Sequence, residues 1–250
     1  MLYEADHSRN ILEGFLNFFF PLTCVSCGQY ISESSGYSLC ERCCSQIEFL
    51  NGPVCVSCGR SLPHFRLTKC RRCREKPFSF DAARAVTVYI SPIRESIHAL
   101  KYKGMTSFAP FFGHLLLEYL KTNPFLLDVD GILPVPLHPF RLQERGFNQS
   151  EIMARSVSRS FHLPLIRKKI FRTKLTRSQI GLSARDRRLN LQNAFSIPDP
   201  GYFRAKKILI IDDVMTSRAT GESLSRALRN SGCERIYLLV LASGKSLRDE

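Results

Sequence analysis

The chain has 250 residues, 44% of them hydrophobic, and 36 Lys and Arg against 22 Asp and Glu leave a formal charge of +14. Hydrophobic content of that size excludes a disordered chain, and the length suits one α/β domain with a small module beside it. The basic excess points to a polyanionic partner, although a solvated basic face that serves only solubility would have the same composition.

Met1 to Asn10 contains Glu4, Asp6 and Arg9, with no basic stretch leading to a small-residue cleavage site. No signal peptide is expected there, and the expected location is the cytoplasm. Ile11 to Leu22 is apolar but short of the roughly 20 residues that span a bilayer. Leu12, Phe15, Leu16 and Phe19 form one stripe, which predicts an N-terminal amphipathic helix within residues 1–22 that packs on the protein. Phe18 and Phe20 widen the stripe and leave a membrane-surface or partner-docking role open.

Nine of the ten cysteines lie between Cys24 and Cys73, and eight form Cys-x-x-Cys pairs: Cys24/Cys27, Cys40/Cys43, Cys55/Cys58 and Cys70/Cys73. Each pair can aim two thiolates at one ion, and two pairs brought together close a tetrahedral zinc site. Cys24-Val-Ser-Cys-Gly recurs as Cys55-Val-Ser-Cys-Gly, each followed after eleven or twelve residues by another pair. Residues 23–77 are therefore expected to form a double zinc ribbon with two structural Zn2+, one held by Cys24, Cys27, Cys40 and Cys43, the other by Cys55, Cys58, Cys70 and Cys73. Crossed pairing remains an alternative, and Cys44 could substitute as a ligand. Disulfides are disfavoured in a reducing compartment, and a dithiol redox site needs one such motif at a helix start rather than four in tandem. The second ribbon is basic through Arg60, Arg66, Lys69, Arg71, Arg72, Arg74 and Lys76 and carries Phe65, which suits either nucleic acid or mere solubility.

From residue 78 onward, strands and helices alternate. Asp81–Tyr89 has β-branched alternation, Pro92–Lys103 and Phe108–Lys121 have helical spacing, and Gly131–Pro136 reads as a short buried strand. Gln149–Phe161 follows as a helix, Lys206–Asp212 as a strand, Ala219–Ser231 as its helix and Arg235–Ala242 as a final strand. This order predicts an open, mostly parallel α/β sheet over 78–250, with ligands collecting at the carboxyl ends of the strands. His98 and His114 are read as helix-face residues, and His138 as the histidine nearest a site.

Ile208 to Gly221 is the most informative segment: four apolar residues, Asp212 and Asp213, then Thr216, Ser217, Arg218, Ala219 and Thr220 at a helix start. Main-chain amides at a helix N-terminus, with hydroxyls beside them, can hold a phosphate monoester. Two acids beside a phosphate need other partners, and ribose hydroxyls with Mg2+ are the natural ones. The segment resembles the phosphoribosyl-pyrophosphate (PRPP) signature of the type I phosphoribosyltransferases. Arg218 departs from it, standing where the family has a loop glycine, and either compensates through its guanidinium or marks a decayed site.

Further motifs narrow the resemblance. Pro134-Val-Pro-Leu-His-Pro precedes Arg141, Arg145, Gly146, Phe147, Asn148 and Gln149. Lys101 lies in Leu-Lys-Tyr-Lys-Gly, and Gln179, Leu182, Arg185, Arg188, Asn190, Ala194 and Phe195 come later. With the double ribbon, these resemble the ComF (ComFC, GntX-like) competence proteins over Leu16 to Ala242. The resemblance implies a pyrophosphate loop at Pro136, Leu137 and His138, with Arg141 and Arg145 as its cations. It also implies a mobile basic loop with Arg177, Gln179, Arg185, Arg187 and Arg188, which a plain surface hairpin would match equally well. The expected function is binding of single-stranded DNA and PRPP during DNA uptake in natural transformation, beside a competence helicase or a DNA-channel protein. An active phosphoribosyltransferase of unknown acceptor, or a PRPP sensor without catalysis, remains the alternative. Whether any turnover occurs is left open by Arg218.

Overall fold

The computed structural model describes residues 22–31, 38–174 and 194–244. The helix expected before Thr23 and the basic-loop residues Arg177, Gln179, Arg185, Arg187 and Arg188 lie outside the described residues.

The main sheet is built from β1 (Ala82–Val88), β2 (Gly131–Pro134), β5 (Lys207–Met215) and β6 (Arg235–Ser243); β3 (Phe171–Arg172) and β4 (Phe195–Ser196) form a separate antiparallel pair. Sheet order is β1-β6-β5-β2, and every pairing is parallel. A parallel strand covered on both faces must be apolar on both, which explains the unbroken runs Ile208–Ile211 and Ile236–Ala242, buried throughout. β5 continues past the expected end at Asp212, because Val214 and Met215 still pair with Ala242 and Ser243 on β6. β2 stops at Pro134 rather than Pro136.

The helices in chain order are α1 (Glu41–Ser45), α2 (Arg71–Glu75), α3 (Ile93–Lys103), α4 (Phe108–Thr122), α5 (Pro139–Arg145), α6 (Gln149–Phe161) and α7 (Ala219–Asn230). Two hydrophobic clusters flank the sheet. One joins α3, α4 and α6 to Leu209, Ile211 and Leu239, and takes in Cys24, Leu39 and Cys43 of the first ribbon. The other joins α7 to Ile208, Ile210 and Leu238, and takes in Cys55, Cys58, Leu62 and Cys73 of the second. Gly221 on α7 permits this packing, since a Cβ there would stand 2.5 Å from Leu238 Cδ2.

The segment between the ribbons runs along the outer edge of β1. Leu50 N–H donates to Val86 O at 3.0 Å and Val88 N–H to Glu48 O at 2.8 Å, which covers an otherwise open strand edge. Each ribbon also grips the domain directly. Ser26 and Ser91 hydroxyls meet at 3.0 Å for the first, and for the second Ala83 N–H donates to Ser57 O at 2.7 Å.

Candidate functional site

The two ribbons are structural copies. In each, the amide of the first cysteine bonds five residues on, at 2.8 Å for Cys24 to Gln29 O and 2.7 Å for Cys55 to Arg60 O. Left-handed Gly28 and Gly59, at φ 74° and 67°, turn the chain back. Gly59 has a second duty, because a Cβ there would lie 2.3 Å from Ala83 O and push the ribbon off β1.

The sulfurs gather into two sets, Cys24/Cys27/Cys40/Cys43 and Cys55/Cys58/Cys70/Cys73, each within 4.8 Å of one another. Zinc–thiolate bonds of about 2.3 Å in a tetrahedron put sulfurs roughly 3.8 Å apart. Cys27 and Cys40 sulfurs are 3.7 Å apart, as are those of Cys58 and Cys70, so both sets fit zinc. This is the expected uncrossed pairing, and Cys44 belongs to neither set. Burial opposes ionisation of Cys24, but amides of Cys27, Cys40 and Ser26 aimed at its sulfur bring its pKa down to about 6. The same arrangement in the second ribbon brings Cys55 to about 7. Four closed ligands leave no open position, so the chemistry of these sites is structural.

The second candidate site lies at the carboxyl end of β5. Asp212, Thr216, Ser217, Arg218, Ala219 and Thr220 line a small solvent-open cleft with Val214, Met215, Gly221, Leu238 and Val240. The amides of the first turn of a helix have no partners within it, and no side chain among the described residues caps α7. Ser217 Oγ is buried without a hydrogen-bond partner among the described residues, an acceptor and donor left over in the wall of the cleft. Such a group is costly unless water or a ligand satisfies it.

The two acids have diverged in role. Asp213, 4% exposed, is absent from the cleft lining and faces Lys101, with Oδ2 2.6 Å from Nζ. Burial works against the Lys101 charge, yet Asp213 and then Asp212 hold its pKa above the usual lysine value. Asp212 accepts from Ser150 Oγ at 2.8 Å and from its neighbour's amide at 3.0 Å. Burial, followed by the charge of Asp213, pushes Asp212 up to about 7.

A carboxyl whose folded pKa exceeds its unfolded one is protonated in the native state where the unfolded chain is not. Stability from this source is present below about pH 4 and is lost as pH rises toward 7. Asp212→Asn is therefore expected to stabilise the unliganded protein at pH 8, on the order of a few kcal/mol, and to change it little at pH 4. Thermal unfolding at both pH values checks this, and equal shifts at the two would contradict it.

Pro136, Leu137 and His138 follow β2 as expected, but their surroundings are more local than foreseen. His138 Nδ1 accepts from Phe140 N–H at 3.2 Å and so caps α5. Arg141 pairs at 2.6 Å with Glu144 on the surface. Arg145 is closer to the acids: it donates to Gln149 at 3.0 Å, lies over the Tyr102 ring and acts on the charge of Lys101. Sequence reasoning did not give Lys101, Ser150 or Arg172 a place at the acid pair. Arg172, half-buried on β3, has its pKa lowered by burial while the charge of Asp212 works to restore it. A buried serine or a helix lysine carries no motif of its own, so only the fold could bring these residues to β5.

Arg218 is left-handed, at φ 62° and ψ 6°. It thus adopts the backbone shape for which a glycine would be the natural choice, at a cost of about 1–2 kcal/mol. Its guanidinium is tied to the second ribbon. Nε donates to Cys58 O in the second ribbon at 3.0 Å, across 160 residues of sequence. Burial lowers its pKa, and the Cys58 thiolate opposes that fall.

A family model described as a double zinc ribbon domain matches residues 15–74. Competence protein F of Haemophilus influenzae is 32% identical over 230 residues, covering 90% of this chain and 98% of that protein. DNA utilization protein YhgH of Escherichia coli O157:H7 is 32% identical over 201 residues, 79% of this chain and 87% of its own. A Bacillus subtilis glutamine PRPP amidotransferase complexed with ADP and GMP overlaps 45% of this chain and 22% of its own, at 16% identity and a TM-score of 0.31.

Proposed function

The chain belongs to the ComF family of competence proteins, and from that premise we propose that it binds single-stranded DNA and, with Mg2+, PRPP during DNA uptake. The observation that carries the PRPP half is the cleft at the end of β5, where Asp212, the orphaned Ser217 hydroxyl and the start of α7 converge. A sugar 5-phosphate would take the amides and hydroxyls of Thr216 to Thr220. Ribose hydroxyls would donate to Asp212, relieving the unfavourable charge that burial imposes on it. Pyrophosphate would lie toward Pro136, Leu137 and His138, with Arg145, Arg141 and Lys101 supplying positive charge. Magnesium, held by the ligand and Asp212, would neutralise the remaining phosphate charge; Asp213 serves by keeping Lys101 in place.

The division of labour follows residues 23–77 and 78–250: ribbons along a nucleic-acid backbone, and a phosphoribosyltransferase-like domain for PRPP. Phe65 is 82% exposed among Arg66, Lys69, Arg74 and Lys76, a stacking face within a basic surface of the kind that single strands use. No helix among the described residues is long and apolar enough to cross a membrane, which accords with the cytoplasmic placement we propose. The partner to which DNA is passed would be a competence helicase or a DNA-channel protein. Binding without turnover is favoured over phosphoribosyl transfer, since Arg218 is committed to Cys58 rather than to the phosphates.

Calorimetry tests the PRPP half. Wild type is expected to bind Mg2+–PRPP, and Asp212→Asn to weaken it by roughly a hundredfold through loss of a charged acceptor for two hydroxyls and the metal. Equal affinity in wild type and variant would remove the assignment. Release of pyrophosphate on addition of nucleobases or amines would instead establish an enzyme.

A further inference from the structure

Arg218 lies at the junction of two sites that the sequence keeps far apart. It is the left-handed residue that opens α7 and one of the residues lining the cleft, while its Nε is bonded to the carbonyl of a cysteine of the second set, Cys58, at 3.0 Å. Among the described residues no carboxylate pairs with this buried cation. Cys58, whose carbonyl it bonds, has its sulfur 3.7 Å from that of Cys70 within the second four-cysteine set. A zinc ion with four thiolates carries a net charge of −2, which supplies the counter-charge this guanidinium otherwise lacks. The same knuckle is pressed on the sheet, with Ser57 O accepting from Ala83 N–H at 2.7 Å and Gly59 too close to Ala83 O to admit a Cβ. Ribbon, β1 and cleft are thus one packed unit on this face. The first ribbon contacts the opposite cluster and, among the described residues, has no such tie to the loop.

We propose that Arg218 is a positioning residue that couples the second zinc site to the sugar-phosphate cleft: metal bound by Cys55, Cys58, Cys70 and Cys73 holds the loop in its left-handed turn, and PRPP in the cleft retains that metal. The first zinc site is indifferent to both. The second half of this proposal rests on the PRPP reading above, whereas the first half concerns the chain alone. Linkage requires the two effects to be equal: whatever factor zinc contributes to PRPP affinity, PRPP contributes to zinc affinity.

The test uses the full chain with both zincs loaded and follows metal release to a chromogenic chelator. A Cys27→Ser variant, which spoils only the first site, identifies which phase belongs to which ribbon. Arg218→Met keeps the unbranched stem and removes both the charge and the Nε donor; Arg218→Gly also relieves the backbone and guards against failure to fold. Both are expected to speed release from the second site roughly tenfold without ligand and to leave the first unchanged. Mg2+–PRPP should slow second-site release in wild type and have no effect on it in either variant. A residue that merely touched phosphate would leave release from the unliganded protein as in wild type, and that result would overturn the proposal. So would acceleration at both sites alike, which would signal general destabilisation. PRPP that binds by calorimetry yet leaves zinc release unchanged overturns the coupling alone. Absence of PRPP binding overturns both the coupling and the function it rests on.

Discussion

Removal of zinc is expected to dismantle more than the ribbons. Each four-cysteine site supplies folding energy of the order of 10 kcal/mol when loaded, because metal binding ties together small loops that cannot hold themselves. Cys55, Cys58, Leu62 and Cys73 share a core with Phe80, Ala83 and Ala85, so loss of the second ribbon uncovers one face of β1. Loss of the segment Glu48–Leu50 opens its edge as well. A strong chelator should therefore lower the melting temperature of the whole chain by more than roughly 10 °C. Metal analysis before treatment should give two zinc ions per chain. A stoichiometry near one, or a melting temperature indifferent to the chelator, would contradict the packing described above.

Single-stranded DNA binding is expected to be steeply salt-dependent. Each phosphate contact on a single strand contributes a slope of roughly −0.7 in log affinity against log salt, so six contacts imply a loss of two to three orders of magnitude between 50 and 200 mM. Arg66, Lys69 and Arg74 are exposed on the second ribbon, and none is tied up in an ion pair among the described residues. Replacing all three with Glu should weaken binding by roughly a hundredfold or more, for every base sequence alike, while zinc content stays at two. A matching variant with Glu at Arg185, Arg187 and Arg188 tests the basic loop separately. Fluorescence anisotropy with a labelled oligonucleotide reads both. Affinity unaffected by either set would leave the basic charge as a solubility feature.

The parts of this protein that were legible in the sequence are those with local causes. Ile208–Ile211 and Ile236–Ala242 announce buried parallel strands because both faces must be apolar. The Cys24 and Cys55 repeats announce two metal ribbons, while the choice of uncrossed over crossed pairing came from the gathered sulfurs. What stayed hidden depends on distance in the chain. β5 passes through Asp212 and Asp213 because β6 offers partners as far as Ser243, which no pattern in β5 reveals. β3 and β4 have two residues each and pair across a long gap, too little for any periodicity. Acids at a strand end suggest ligands, yet Asp213 is consumed by Lys101, more than a hundred residues earlier. Arg218 was legible as a departure from a pattern, but its direction toward Cys58 was set by how the second ribbon docks on β1.

The most direct measurement is a calorimetric titration of PRPP into the zinc-loaded wild-type chain, with and without Mg2+. A saturable 1:1 isotherm that requires Mg2+ and is lost in Asp212→Asn is the predicted result. A folded, zinc-replete protein that shows no heat with millimolar PRPP would contradict it, and would mark the cleft at the end of β5 as a relic of the fold rather than a working site.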